Sequence, residues 1–167
     1  MRFSKRSEYA LRALLELTNR YDREVVPRAQ LSESLQIPAG FLEGILLTLK
    51  HAGIVASRRG IDGGFKLLKP PSSITLGQII RILDGPLAPI SCVSQIAYQK
   101  CDDCPYRMKE VCPIQSVMLE VRNAIAGVLD HYSLEDFART ARISLPTKQK
   151  RKTSLVGKQK AHNRISD

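Results

Sequence analysis

The chain has 167 residues, 43% apolar and 25% charged, a globular balance that excludes a wholly disordered or fibrous protein. Lys and Arg number 26 against 16 Asp and Glu, a net charge of +10, so the surface favours polyanions and makes nucleic acid the leading partner. The basic opening is followed by Arg12 and Glu16, which a secretory apolar region would not contain, and no apolar run is long enough to cross a bilayer. The expected location is therefore the cytoplasm, with no membrane partner and with thiols kept reduced.

Ser4 to Arg20 reads as a helix whose Ala10, Leu11, Leu14 and Leu15 form one apolar face. Pro27 is expected to open a second helix as its first residue, running to about Leu35. After the turn Gln36, Ile37, Pro38, a third helix from Ala39 to about Ala52 carries Leu42, Ile45, Leu46 and Leu49 on one side and stops before Gly53. Two short helices joined by a tight turn make a helix-turn-helix candidate. Two β-favouring runs follow, Ile54 to Arg58 and Phe65 to Lys69, and the glycines between them are expected to permit the positive φ angles of a hairpin. This hairpin is the wing.

Thr75 is placed to cap a short helix from Leu76 to Asp84. Residues 85–112 then show no periodicity and hold all four cysteines, so the segment needs something to organise it. From Pro113 to about Asp130, Ile114, Val117, Met118, Val121, Ala124, Ile125, Val128 and Leu129 recur at helical spacing. That stripe must bury itself against the small domain or against a second copy. Ser133 with Asp136 resembles a capping box for a last helix ending near Thr140. Beyond it, Lys148, Lys150, Arg151, Lys152, Lys158, Lys160 and Arg164 stand against the single acid Asp167, which reads as a disordered basic arm.

The expected fold is thus mainly α with a small β wing. It divides into a winged helix-turn-helix DNA-binding domain (1–84), a cysteine-rich loop (85–112), a dimerisation helix with a short terminal helix (113–142) and the tail (143–167). In a helix-turn-helix the second helix enters the major groove N-terminus first, which singles out Ala39, Gly40, Phe41 and Glu43. A carboxylate at Glu43 can accept from a cytosine amino group. Arg58 and Arg59, flanked by Ser57 and Gly60, are placed to reach a minor groove or its phosphates.

Cys92, Cys101, Cys104 and Cys112 are separated by eight, two and seven residues. Such clustering points to an iron-sulfur centre, with zinc as a rival that usually shows two close pairs where this chain has one. Cys112 precedes Pro113 at a helix N-terminus, where the helix dipole favours a negatively charged ligand. A different class of reading makes Cys101 and Cys104 a thiol oxidoreductase pair, although no βαβ pattern surrounds them. No Ser-His-Asp order, paired carboxylates or phosphate loop supports any other enzyme.

The opening Met1-Arg2-Phe3-Ser4, Tyr9-Ala10, the stretch Ile37 to Leu49 and above all Ser57-Arg58-Arg59-Gly60-Ile61-Asp62-Gly63-Gly64-Phe65 resemble the Rrf2 family of bacterial winged-helix regulators over about residues 1–142. The resemblance implies a homodimeric transcription factor that binds promoter DNA under control of an iron-sulfur cluster sensing iron, cluster status, nitric oxide or redox state. It implies Glu43 and Arg59 as operator contacts, and Cys92, Cys104 and Cys112 as the ligands that match best. Cys101 is then extra, or completes an all-cysteine shell. Some relatives use a His three residues after the last cysteine, where this chain has Gln115; others draw an acid from the first helix, where Glu8 stands.

Overall fold

The structure is a computed structural model that describes residues 3–23, 25–102, 105–106 and 112–144. Its helices are α1 (Lys5–Asn19), α2 (Arg28–Leu35), α3 (Ala39–His51), α4 (Leu76–Asp84), α5 (Pro113–His131) and α6 (Leu134–Ser144). Between α3 and α4 lies a hairpin of β1 (Val55–Arg58) and β2 (Gly64–Leu67), and short 3-10 turns occupy Pro71–Ser73 and Ser91–Val93. Of the basic tail expected over 143–167, residues 143 and 144 belong to α6 and the rest lies outside the described residues.

The head is organised by α1, whose Ala10, Leu14 and Leu17 are buried among Leu31 of α2, Leu42, Ile45, Leu46 and Leu49 of α3, and Ile79 and Leu83 of α4. Each such Leu or Ile contributes about 1.5–3 kcal/mol by leaving water. Local signals fix the helix ends. Ser4 accepts from the Ser7 amide at 3.1 Å and Thr75 from the Gln78 amide at 3.2 Å, each cap being worth about 1 kcal/mol. The Ser133–Asp136 capping box forms reciprocally, each backbone amide donating at 3.1 Å to the other's side chain. It starts α6, which runs on to Ser144, past the expected end at Thr140.

Two expectations are corrected. Pro27 has ψ 142°, so it is the extended residue before α2, and Arg28 is the first helical one. The wing glycines also serve different purposes. Gly60 has φ 107° and makes the turn, whereas Gly64 keeps an ordinary φ and is needed for space. A Cβ on Gly64 would lie 2.3 Å from the Val26 carbonyl oxygen. That closeness arises because Val26 and Phe65 exchange both backbone hydrogen bonds at 2.9 Å, which adds Val26 to the edge of the wing. The bridge ties the wing to the residues just before α2.

α5 packs differently. It contributes no buried residue, and its Ile114, Val117, Val121 and Val128 are exposed. It is held to α4 near its C-terminus, where Arg81 donates to both oxygens of Asp130 at 2.5 and 2.8 Å. A Cβ on Gly77 would lie 2.0 Å from an Asp130 side-chain oxygen, so a larger residue there would have to displace the Arg81–Asp130 pair. None of the helices among the described residues is long and apolar enough to cross a membrane.

Candidate nucleic-acid interface and cysteine segment

At the leading end of α3, Ala39 and Gly40 are exposed, and nothing lies within 4 Å of the place a Gly40 side chain would occupy. Phe41 is 47% exposed, with its ring edge-on to Tyr9 at 5.7 Å. Glu43 is half-buried and paired with Arg28 across the turn of the helix-turn-helix. Further along, Thr48 receives the Arg6 guanidinium at 2.5 Å and donates to the Gly44 carbonyl at 2.9 Å, which fixes α3 against α1.

In the wing, Arg58, Arg59 and Gly60 are exposed, whereas Ser57 is half-buried and pairs with Phe65 in the ladder. An open cleft of about 750 Å³ lies between the wing base and the start of α2, lined among others by Arg23, Pro27, Gln30, Arg58, Asp62 and Lys66. The fold therefore presents the wing arginines beside the helix-turn-helix. Arg28 was not singled out by sequence reasoning. Its signal was a cation in the first turn of a helix with no acid there, the wrong sign for the helix dipole.

The cysteines are less evenly placed. Cys92 is buried in the Ser91–Val93 turn, Cys112 is half-buried at the N-cap of α5, and Cys101 is exposed. Cys104 lies outside the described residues. The Gln115 side-chain amide donates to the Cys92 carbonyl at 3.0 Å, which ties the backbone of Cys92 to the first turn of α5. Among the described residues no three His, Cys, Asp or Glu side chains gather into a metal-sized group. Glu8 is engaged on its own helix by Lys5 at 2.7 Å and by Arg12. The hydrogen bond from Lys5, assisted by the charge of Arg12, holds its carboxyl below the usual range.

The last residue of α4, just before the segment, is tied to the start of α1. Asp84, the last residue of α4, receives the Ser4 amide at 3.0 Å and the Ser4 hydroxyl at the cap of α1. Burial pushes the Asp84 carboxyl up, but these bonds, with Ser7 and the Arg6 charge, outweigh it and hold the group ionised below its usual range.

Residues 3–140 match the profile of the Rrf2 family, described as iron-dependent transcriptional regulators. The chain belongs to the Rrf2 family. Among Rrf2 relatives, an rrf2-like HTH-type transcriptional regulator of Rhodobacter capsulatus is 42% identical over 137 residues, 80% of this chain and 89% of that one. The solved structure of CymR, the global cysteine regulator of B. subtilis, matches with a TM-score of 0.69 at 27% identity, covering 84% of this chain and 98% of that one. The T. potens IscR structure matches with a TM-score of 0.66 at 26% identity, covering 87% and 93%. As an Rrf2 member the chain is a DNA-binding transcriptional regulator with a winged-helix fold, and not an enzyme, so the oxidoreductase reading of Cys101 and Cys104 is set aside.

Proposed function

We propose that the chain works in the cytoplasm as a homodimer whose grip on promoter DNA is controlled by an iron-sulfur cluster on the 85–112 segment. In this reading residues 1–84 form the DNA-reading unit. α3 enters the major groove with Ala39, Gly40, Phe41 and Glu43 leading, and Ser57, Arg58, Arg59 and Gly60 bring the wing to the neighbouring minor groove and its phosphates. The exposed stripe of α5 pairs with its counterpart in the second copy, since an apolar surface of that extent is unfavourable in water.

The observation that carries the sensing reading is the Gln115–Cys92 hydrogen bond, which sets one buried cysteine at the start of the helix that another cysteine caps. A thiol-rich donor set of this kind fits iron-sulfur ligation. Cys92, Cys104 and Cys112 would hold the cluster. Cys101 either completes the shell or leaves the fourth place to Glu8 of the partner subunit, which would first have to leave Lys5 and Arg12. When bound, the cluster supplies iron that reacts to iron supply, nitric oxide or redox state.

The chain's own residues do the rest. A centre shared by Cys92 and Cys112 would tie the Ser91–Val93 turn to the start of α5, and through α4 the Asp84–Ser4 and Arg81–Asp130 contacts would pass that constraint to α1 and to the C-terminal half of α5. Holding the two heads at one separation favours one DNA-binding state, and coupling of this type is typically worth about 1–3 kcal/mol. Anaerobic purification with visible absorption, iron and sulfide assays tests the reading. Coloured protein that loses its colour in Cys92→Ala, Cys104→Ala and Cys112→Ala is expected; colourless protein without sulfide contradicts it.

The exposed position of Cys101 and the likeness to the CymR structure favour a second reading, in which the cysteines hold zinc or respond directly as thiols. Metal analysis of the same anaerobic material separates the two, because zinc in place of iron and sulfide selects the second.

A further inference from the structure

Arg28 and Glu43 form an ion pair between the first residue of α2 and the fifth residue of α3. As a structural brace the pair has little to offer. Each side chain is 46% exposed, so water screens the attraction heavily. A cation in the first turn of α2 also opposes the helix dipole, and no acid in that turn offsets it. The pair does hold a carboxylate at the leading end of the recognition helix. Glu43 is bound through Oε2, which leaves Oε1 to accept elsewhere.

A carboxylate brought alone to a polyanion is repelled by the phosphates. Paired with a guanidinium it arrives with no net charge and with its orientation set. We propose that Arg28 is a specificity-determining residue: it clamps Glu43 so that the remaining carboxylate oxygen accepts from the amino group of a cytosine in the major groove. This rests on the proposed reading of α3 as the groove-entering helix and of Glu43 as its cytosine acceptor.

The test uses full-length protein prepared anaerobically, with an operator selected from a randomised duplex library and a set of duplexes in which each base pair is changed in turn. E43A is expected to abolish discrimination at one C·G position in each half-site. R28A is expected to cut the same discrimination about tenfold without lowering the unfolding midpoint, R28K to restore most of it by rebuilding the ion pair, and R28A/E43A to lose no more than E43A alone. If R28A weakens all duplexes equally, with a shallower salt dependence, while E43A still removes the cytosine preference, Arg28 is a phosphate contact and the inference is overturned. A lowered midpoint with discrimination retained marks the pair as a brace and overturns it too. If E43A leaves the preference untouched, the assignment of Glu43 itself fails, and the inference with it.

Discussion

The head and the long helix obey opposite rules. The head closes on itself: α1, α3 and α4 bury their apolar faces in one core whose central leucines and isoleucines are inaccessible to water. α5 carries an apolar stripe of its own, yet none of its residues is fully buried, and the Arg81–Asp130 ion pair joins it to α4. Ile114, Val117, Val121 and Val128 stay exposed among the described residues, and they are the surface proposed above to meet a second copy.

The largest break in that comparison comes from α5. Val117→Glu, at a position 54% exposed in the single chain, should leave the head folded but place an unpaired charge in the proposed dimer interface, at a cost of about 3–5 kcal/mol. Sedimentation should show a monomer whose head unfolds at an unchanged denaturant midpoint. Leu46→Ala does the reverse. Leu46 is fully buried, and the cavity should cost about 2–5 kcal/mol in denaturant unfolding of the head.

Smaller effects sharpen the contrast. Arg59→Ala, at an exposed wing position, should weaken operator binding by about 1–3 kcal/mol in a titration while leaving unfolding unchanged. Thr75→Ala removes the cap of α4 and should cost about 1 kcal/mol of stability. The smallest concerns pH. Hydrogen bonds from Arg81 hold the Asp130 carboxyl below its ordinary 3.8 and push Arg81 up in return. The stabilisation is therefore complete above about pH 4 and is lost as pH falls through the depressed folded value. Because the pair is partly solvated, the loss should stay below about 1 kcal/mol, and Arg81→Ala should remove that part of the acid dependence.

The head was legible because its signals are local. Apolar residues three and four apart, Thr75 before Leu76, and a glycine-rich loop between two β-favouring runs each specify an element within one window of sequence. What sequence could not reveal depends on residues far apart. Gly64 looks like a turn residue until Val26, thirty-eight positions earlier, is seen to approach it. Ser4 reads as the start of the first helix, yet it caps α1 and also holds Asp84, eighty positions away. Glu43 reads as a lone groove-facing acid, but the fold gives it Arg28 as a companion. Gln115, in the first turn of α5, stands where some relatives place a His ligand. It proves to be the residue that fastens Cys92 to α5, a role that a spacing pattern does not carry.

The central claim couples the 85–112 segment to the DNA-reading surface. The direct measurement is operator affinity under anaerobic conditions for the same preparation before and after chelation strips its iron. The account predicts a change of about tenfold or more, equivalent to about 1.4 kcal/mol, that reverses on reconstitution. Identical affinity and an identical footprint in both states would contradict it.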